Sequence, residues 1–507
     1  MPRTDWLERN ALYTPDATAL VWAPTGTAYT YSELNARTEH LAAALRSEYG
    51  LTAGDRIAVL GENTMEHVLL FGAAQKAGYV LVPLNYRLAP PELAYLVHDS
   101  EPQVLFASGD DLETARQFET RAEIAPLSQV EALTSGGDSD NPAEVRPLGD
   151  TPDRPALDDP LMILYTSGTT GRPKGALITH KMLFWNSVNT ELRLNLTADD
   201  RSFNAAPFYH TGGWNVLLTP FLHHGATTHL FPSFDPGAVL RTCEEEGLTI
   251  LWGVPTMLKM MADHEVFDDV SLDTIRYAVV GGEAMPEPLI RTWQEKGVPI
   301  RQGFGMTEVG VNCFSLPERD ALRKIGSIGF PNFYIDARVV DEDGDEVPPH
   351  TTGELLMRGP VVTPGYWRDP DATAEAIDDN GWFHTGDLVE VDDEGYFYVV
   401  GRKHDMFISG GENVYPAEIE SALYAHPSID DAAVIGVPDE EWGEVGAAFI
   451  VAEDELSPED VLAHCRGQLA GYKVPSHVRL LDALPLGDSG KVDKAALREQ
   501  FDAEATQ

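Results

Sequence analysis

A loop rich in glycine, serine and threonine is the part of the sequence best suited to chemistry. The string YTSGTTGRPKGA runs from Tyr165 to Ala176 and follows the apolar residues LMIL. Glycines let backbone N–H groups turn toward an anion, and serine and threonine hydroxyls add further donors. The Walker A loop places its lysine directly after a glycine, whereas Arg172 and Pro173 come directly before Lys174 here. The string therefore predicts a phosphate-binding loop that is not a Walker A loop.

Four more strings carry polar residues and glycines in an order that matches one known family. They are QGFGMTEVG at 302–310, GWFHTGDL at 381–388, GRKHDMFISGGENVYPAEIE at 401–420 and LPLGDSGKVDK at 484–494. Together with the loop, they resemble the motifs of the AMP-forming acyl-CoA synthetases, within the adenylate-forming superfamily, over nearly the whole chain. The resemblance implies that ATP and a carboxylic acid form an acyl-adenylate and pyrophosphate, after which CoA takes the acyl group and AMP leaves. It implies Mg²⁺ as cofactor, with ATP and CoA as co-substrates.

The resemblance assigns the phosphate end of ATP to the loop and to one acidic residue. Lys174 is implied as an outer charge, and Thr307 as a contact of the α-phosphate. Glu308 is implied as the Mg²⁺ carboxylate, with the Thr166 hydroxyl as a second ligand, because this ion prefers oxygen ligands. The residues implied to cradle the β- and γ-phosphates are Thr166, Ser167, Gly168, Thr169, Thr170 and Gly171.

The nucleoside end of ATP is assigned to residues farther along the chain. Asp387 is implied to accept both ribose hydroxyls, since a carboxylate can take two hydrogen bonds at once, and Arg402 is implied to assist there. The ring of Phe304 is implied to stack on adenine. The other residues implied near the base are Gly281, Gly282, Glu283, Gln302 and Gly303.

One lysine near the C-terminus is the predicted catalytic residue. The chain has ten lysines among its 36 basic residues, and Lys491 lies in the string SGKVDK. A flexible ammonium can bridge the substrate carboxylate and the α-phosphate, which offsets negative charge in the transition state. The resemblance assigns this role to Lys491.

The resemblance further implies a C-terminal domain that swings about a hinge between the two half-reactions. The hinge position is His404, where family members usually have aspartate or lysine, so the chain departs from the family there. Gly410 and Gly411 are implied to line the pantetheine tunnel, because glycine lets a ligand pass close to the backbone. Trp442 is implied to pack near the CoA adenine, or else to brace the domain.

The pocket for the acid is predicted from His210 and from nearby apolar residues. His210 matches a family position beside the acyl carbonyl. A tryptophan four residues later gates the acyl tunnel in some long-chain members, so Trp214 favours a fatty acid of medium or long chain; a core tryptophan is the alternative. The predicted pocket residues are His210, Trp214, Trp252, Val309 and Cys313.

Three alternatives to a fatty-acyl-CoA ligase stay open at this point. Aryl-acid CoA ligases share much of the same sequence, and fold alone does not identify a substrate. A stand-alone enzyme that loads a carrier protein is a second alternative. A non-catalytic nucleotide-binding protein is disfavoured, because Lys491, Glu308 and Asp387 are all present.

Alternating helical and strand patterns supply the elements that position these motifs. They fill most of the first 300 residues and predict an α/β fold with mostly parallel sheets, with Thr30 or Ser32 as a helix cap. From about 325 to 400, short strand-like runs separated by DEDGDE and DDEG turns predict a small β-barrel-like unit. The predicted domains are a large adenylation domain, 1–402, with two layered α/β subdomains plus that unit, and a mobile α+β domain, 403–507.

Composition restricts the partners and the compartment. The 507 residues include 81 acidic and 36 basic ones, a net charge of −45, so phosphate backbones and anionic lipids are repelled. The three cysteines are far apart and predict neither disulfides nor a zinc ribbon. The most apolar window, 67–84, includes Gln75 and Lys76, and the N-terminus lacks a signal-peptide pattern. We expect a cytoplasmic protein without a membrane span or nucleic-acid partner; a homodimer is left open.

The acid-rich, lysine-poor composition predicts adaptation to concentrated salt, because ions screen self-repulsion over a Debye length of about 3 Å at 1 M. We expect the rate of AMP formation to rise between about 0.1 M and about 2 M KCl. A maximal rate at the lower concentration, with inactivation at the higher, would instead indicate an ordinary acidic protein of a low-salt cytosol.

Overall fold

The computed structural model describes residues 5–134, 154–166, 173–403, 405–409, 412–439, 442–452, 456–487 and 492–505. The chain divides into two compact units, Met1–Ala337 with Met357–Phe383, and Arg338–Leu356 with His384–Gln507. This division groups 338–356 and 384–402 with the C-terminal residues, whereas the sequence places the boundary after 402. The functional boundary at 402 stays a prediction.

The first unit has the alternating elements that the sequence predicts. Its helices are Trp6–Tyr13 (α1), Tyr31–Tyr49 (α2), Met65–Ala77 (α3), Pro90–Ser100 (α4), Gly109–Ala115 (α5), Gln129–Thr134 (α6), His180–Leu194 (α7), Thr211–Asn215 (α8), Leu218–His224 (α9), Pro236–Glu245 (α10), Pro255–Ala262 (α11), Glu287–Glu295 (α12) and Pro370–Ala376 (α13). Its strands are Thr18–Trp22 (β1), Thr27–Thr30 (β2), Arg56–Leu60 (β3), Val80–Leu84 (β4), Val104–Ala107 (β5), Glu123–Pro126 (β6), Pro160–Thr166 (β7), Lys174–Thr179 (β8), Arg201–Asn204 (β9), Thr227–Leu230 (β10), Ile250–Gly253 (β11), Tyr277–Val280 (β12), Ile300–Phe304 (β13), Phe314–Ser315 (β14) and Ser327–Pro331 (β15).

A six-stranded sheet in the order β6-β5-β3-β4-β7-β8 carries the glycine-rich loop. The first five strands pair in parallel, as the alternating helical and strand patterns predict, and β8 returns antiparallel to β7. The loop therefore joins the two strands of a hairpin, whose last register pair is Thr166 with Lys174.

The predicted helix cap is confirmed at the start of α2. The Thr30 side chain accepts from the Glu33 N–H, and the Glu33 carboxylate accepts from the Thr30 N–H, which forms a capping box. Two otherwise unpaired donors of the first turn are satisfied in this way. The helix ends at Gly50, which has a left-handed φ of 67°.

Two further sets of strands complete the first unit. One follows the order β2-β1-β10-β9, and the other runs β11-β12-β13-β14-β15. In the second set, β11, β12 and β13 are parallel, whereas β13, β14 and β15 pair antiparallel. The change of direction after β13 produces the turn that carries the string GMTEVG.

The second unit contains antiparallel strands followed by mixed elements. The strands in and leading into it are Asp336–Val340 (β16), Gly353–Arg358 (β17), Phe383–Val391 (β18), Phe397–Arg402 (β19), Phe407–Ser409 (β20), Glu412–Val414 (β21), Ile429–Asp439 (β22), Gly443–Ala452 (β23) and His477–Leu480 (β24). Its helices are Pro416–Tyr424 (α14), Pro458–Gln468 (α15) and Lys494–Ala505 (α16). Strands β19-β18-β17-β16 are neighbours in that order, and β21-β20-β23-β22 form a separate sheet with β24 beside β23. The α+β structure predicted for the C-terminal residues is confirmed.

All three cysteines are free and buried. Among the described residues, no helix combines the length and apolar character that a membrane span requires.

A tight backbone turn follows β13. Val311 has a φ of 69°, which is strained for a β-branched residue, and its N–H donates to the Met306 carbonyl at 3.1 Å. A methyl group on Gly305 would overlap the carbonyl oxygen of Val311. Glycine at 305 is therefore a steric requirement of this turn.

We expect Gly305→Ala to destabilise the first unit by about 3 kcal/mol, since backbone atoms rather than a flexible side chain must move. Gly467→Ala is the matched control, because no atom beyond its chain neighbours and its own helix backbone lies within 4 Å of the added carbon in α15. That control should stabilise by about 0.5–1 kcal/mol. Thermal unfolding measures both, and equal melting temperatures would contradict the steric argument.

Candidate active site

Two residues that lie far apart in sequence meet beside the glycine-rich loop. Thr166 ends β7, and Glu308 lies in a single 3-10 turn, Thr307–Val309, directly after β13. The Thr166 hydroxyl donates to Glu308 Oε1 at 3.2 Å, and Glu308 is 6% exposed. The structure thus brings together the two oxygen ligands that the sequence predicts for Mg²⁺.

A tyrosine that sequence reasoning missed completes this contact. The Tyr366 hydroxyl donates to the same Oε1 at 3.1 Å, and the Thr363 N–H donates to the Glu308 carbonyl at 2.7 Å. Burial, followed by the Glu308 carboxylate, raises the pKa of Tyr366, so its hydroxyl remains a donor. The string TPGYW that contains Tyr366 has no spacing that relates it to Glu308, so no sequence signal pointed to it.

Lys174 lies over the aromatic ring of the same tyrosine. Its Nζ is 5.5 Å from the centre of the Tyr366 ring, within the range of a cation–π interaction. The base of the loop therefore gathers an ammonium, a carboxylate and two hydroxyls. Ser167, Gly168, Thr169, Thr170 and Gly171 lie outside the described residues, so their contacts with phosphate stay predictions.

The donor set at this position fits Mg²⁺. Carboxylate and hydroxyl oxygens are hard ligands, and Mg²⁺ in nucleotide sites is usually held by one or two carboxylates together with phosphate oxygens. Among the described residues, no group of three or more His, Cys, Asp or Glu side chains could hold a metal by itself. Glu308 and Thr166 are therefore suited to an ion that also binds nucleotide phosphates.

A buried amide organises the predicted adenine side. The Gln302 Nε2 donates to the Glu283 carbonyl at 2.8 Å, and its Oε1 accepts from the Met285 N–H at 3.1 Å. These bonds hold the turn after β12 against β13, where Gly303 and Phe304 follow. The Phe304 ring meets Phe314 edge-on at 5.8 Å, and its stacking on adenine stays a prediction.

The turn after β12 contributes the remaining predicted adenine contacts. Gly281 continues directly from β12, and its N–H donates to the Gly253 carbonyl at 3.3 Å. Gly282 has a left-handed φ of 90°, which glycine adopts without strain. Thr307, the predicted α-phosphate contact, is buried in the same turn as Glu308.

The predicted ribose residues form a charged pair within the second unit. Asp387 on β18 lies opposite Arg402 on β19, and Arg402 Nε is 2.7 Å from Asp387 Oδ1. The Asp387 N–H donates to the Thr385 hydroxyl at 3.0 Å. Asp387 is almost completely buried, whereas half of the Arg402 side chain is exposed. The antiparallel register thus fixes the carboxylate, and the binding of ribose stays a prediction.

His210 and Trp252 lie together at the start of α8. The His210 Nδ1 accepts from the Gly212 N–H at 3.0 Å, so a neutral ring carries its proton on Nε2. A methyl group on Gly212 would stand 3.0 Å from Trp252 Cη2, and Trp252 is 7% exposed. The indole therefore occupies the space that a side chain at 212 would need.

Trp214 lies in the hydrophobic core. It is 0% exposed, and its ring stacks against Phe71 at 5.3 Å and Phe208 at 4.2 Å. The indole N–H donates to the Phe208 carbonyl at 2.6 Å. The alternative that the sequence left open, a core tryptophan, fits this position, and the proposed tunnel gate has no support from its packing.

Two other predicted pocket residues are small, buried and uncharged. Val309 and Cys313 are both almost completely buried, and the Cys313 thiol donates to the Val309 carbonyl at 3.0 Å. Burial raises the pKa of Cys313 to about 12, so the thiol stays protonated and is a poor nucleophile. Both side chains are buried, and their contact with an acid stays a prediction.

The predictions for the CoA half-reaction fall largely beyond the described residues. His404, Gly410, Gly411 and Lys491 are outside them, so the roles of all four stay predictions. Trp442 is 48% exposed, and its backbone N–H donates to the Asp439 carboxylate at 2.8 Å. Its contact with the CoA adenine and its alternative bracing role both stay predictions.

Comparison with known proteins identifies the family. The model described as "AMP-binding enzyme" matches residues 7–367, and "AMP-binding enzyme C-terminal domain" matches 418–491. A feruloyl-CoA synthase from Amycolatopsis sp is 42% identical over 98% of both chains. An indoleacetate–CoA ligase from Aromatoleum aromaticum is 39% identical over 98% of both chains. The long-chain-fatty-acid–CoA ligase FadD13 from Mycobacterium tuberculosis is 37% identical over 99% of both.

Solved structures agree over the same length. ATP-bound MatB from Rhodopseudomonas palustris has a TM-score of 0.89 and 33% identity over 99% of both chains. The o-succinylbenzoate CoA synthetase from Bacillus subtilis, in complex with ATP and magnesium ion, has a TM-score of 0.86 and 30% identity, and the match covers 97% of this chain and 99% of that one. The chain therefore belongs to the AMP-binding enzyme family and is an AMP-forming acid–CoA ligase that uses ATP, Mg²⁺ and CoA.

Proposed function

We propose that this ligase activates an aromatic carboxylic acid. The observation that carries the proposal is the position of Trp252, whose indole rests on Gly212 beside His210. A flat, apolar indole in that place suits a planar ring, since aromatic pairs gain from offset or edge-on packing.

The character of the other candidate pocket residues supports the same choice. Val309 and Cys313 are buried and uncharged, so in the assigned pocket they would suit the body of an aromatic acid and would give no partner to a second charge. Two of the three relatives described above are named for aromatic acids, feruloyl and indoleacetate.

A fatty acid of medium or long chain is the second candidate. It is favoured by the 37% identity to the long-chain-fatty-acid–CoA ligase FadD13. The other support for it was the predicted gate at Trp214, and the packing of that residue between Phe71 and Phe208 removes this support. The aromatic proposal therefore takes precedence.

The chemistry requires anions to approach one another. The acid carboxylate attacks the α-phosphorus, an acyl–O–P bond forms, and the bond to pyrophosphate breaks. The CoA thiol then attacks the acyl carbon, and AMP leaves with the electron pair of the broken C–O bond. We assign the bridging positive charge to Lys491 and the carbonyl contact to His210.

The remaining roles are assigned to residues that hold the nucleotide. Glu308 and Thr166 would hold Mg²⁺, which when bound offsets phosphate charge and orients the triphosphate. Lys174 adds outer positive charge, and Asp387 with Arg402 would hold the ribose. Between the two half-reactions, residues 403–507 would rotate about His404. This rotation would withdraw Lys491 from the reacting groups and bring the pantetheine tunnel to them.

The test of the acid class is a comparison of hydroxycinnamic, indolyl and benzoic acids with fatty acids of increasing length, at high KCl. We expect CoA-dependent AMP formation with kcat/KM about tenfold higher or more for an aromatic acid, equivalent to one ring contact of about 1.4 kcal/mol. A consistent preference for long fatty acids would overturn the aromatic proposal and favour the second candidate.

A substitution makes this test specific to the candidate pocket. Trp252→Ala should lower kcat/KM for the aromatic acids and raise it for longer chains, because it removes a flat wall and opens space. Trp22→Ala is the control, since Trp22 lies on β1 in a different sheet. An unchanged ranking of acids in Trp252→Ala would contradict the assignment of the pocket.

We expect Lys491→Ala to lose adenylation by about 100-fold or more, because a positive charge is missing from the transition state. The same variant should still transfer a supplied acyl-adenylate to CoA. Lys494→Ala is the control: its Nζ pairs with Glu420 Oε1 at 2.9 Å, and both half-reactions should persist. Pyrophosphate exchange and thioester formation measure the two steps, and equal losses in both would refute this role of Lys491.

A further inference from the structure

We propose that Tyr366 is a positioning residue for Mg²⁺–ATP, with its hydroxyl directing the Glu308 carboxylate and its ring holding Lys174. The inference rests on the proposed function, because it takes Glu308 as the Mg²⁺ carboxylate. Tyr366 lies outside the five sequence motifs. It makes two separable contacts, one through its hydroxyl and one through the face of its ring.

The backbone around Tyr366 is held firmly against the hairpin that carries the loop. Tyr366 forms a bridge with Ala176 on β8, and the Trp367 N–H donates to the Gly175 carbonyl at 2.7 Å. The Tyr366 N–H donates to the Thr373 hydroxyl at 2.9 Å. Because its backbone is anchored in this way, Tyr366 is pre-organised to orient its neighbours. Little conformational entropy is then lost when a ligand binds.

The same segment also fixes the backbone of Glu308. The Thr363 N–H donates to the Glu308 carbonyl, and the Thr363 hydroxyl donates to the Leu177 carbonyl at 2.7 Å. Residues 363–367 therefore connect the turn after β13 to strand β8. Tyr366 supplies the side-chain part of that connection.

A phenol is chemically suited to direct a carboxylate toward a cation. It donates one hydrogen bond and carries no charge, so it orients Glu308 without cancelling the negative charge that Mg²⁺ requires. An arginine or lysine in the same place would neutralise that charge and compete with the ion. Since both hydroxyls bond Oε1, we assign Oε2 as the oxygen that Glu308 offers to the ion.

The ring face gives Lys174 a position of its own. In the described part of the chain, the Lys174 ammonium lies over the Tyr366 ring at 5.5 Å, where the π electrons attract it. This contact keeps positive charge beside the phosphate loop without an ion pair to Glu308. The hydroxyl and the ring therefore give the carboxylate and the ammonium separate contacts with one residue.

The experiment measures ATP binding by calorimetry, without any acid substrate, across a series of Mg²⁺ concentrations. Tyr366→Phe removes the hydroxyl and keeps the ring. It should raise the Mg²⁺ concentration for half-maximal ATP binding about tenfold, as expected for a lost hydrogen bond to a charged group, and leave metal-free ATP binding unchanged. Tyr366→Leu removes both contacts and should weaken metal-free binding as well.

Two further variants separate this role from a general effect on folding. Tyr424→Phe is the matched control, because the Tyr424 hydroxyl also donates to a carboxylate, Asp431 Oδ1, at 2.6 Å in the second unit. It should not change the Mg²⁺ dependence. In a Glu308→Gln background, Tyr366→Phe should have no further effect on Mg²⁺ dependence, because the tyrosine acts through the carboxylate.

The outcomes are distinct. Wild-type Mg²⁺ dependence in Tyr366→Phe, or an undiminished effect of that variant in the Glu308→Gln background, would overturn this inference and leave the proposed function intact. Failure of the wild-type protein to bind ATP with Mg²⁺ would overturn both, and it is recognised because no substitution is involved. If Tyr366→Phe unfolds at a lower temperature by more than Tyr424→Phe and binds ATP poorly without metal, the residue is structural and the inference is wrong.

Discussion

This enzyme must bring several negative charges together at one place, and they repel one another. ATP and the acid are both anions, and the chain itself has a net charge of −45. Positive charge and hydrogen-bond donors must therefore be placed where the phosphates bind, since the chain as a whole is strongly negative. In the described part of the first unit, Lys174 brings an ammonium to the base of the glycine-rich loop, where the Thr166 and Tyr366 hydroxyls donate to the Glu308 carboxylate that we propose holds Mg²⁺.

The fold of the first unit explains why these groups can meet. Strands β7 and β8 form a hairpin at the edge of a largely parallel sheet, and the strained turn after β13 presents Glu308 to it. Segment 363–367 connects the two through backbone hydrogen bonds. Main-chain contacts thereby hold three segments that are distant in the sequence. Little conformational entropy is then lost in aligning their side chains when ATP binds.

The acid pocket and the phosphate site recognise their ligands by different physical properties. Phosphate chemistry is common to the whole family, and its residue types follow from charge. The acid is selected by the shape of an apolar space, and a small change of volume in such a space alters specificity only modestly. Two tryptophans illustrate this. Trp214 and Trp252 are both buried in apolar clusters, and Trp252 differs in that its indole also rests on Gly212 beside His210.

Local patterns and motifs in a fixed order were enough to predict the family, the α/β class and a cap at Thr30 or Ser32, and they also predict a phosphate-binding loop. The pairing of Thr166 with Glu308 followed from those motifs as well. The tertiary structure alone decided that Tyr366 joins them, that Gln302 organises the turn at Glu283, and that Trp214 belongs to the core. The reason is physical: contacts between residues tens to hundreds of positions apart depend on how strands are ordered and packed, and a single sequence carries no local record of that order.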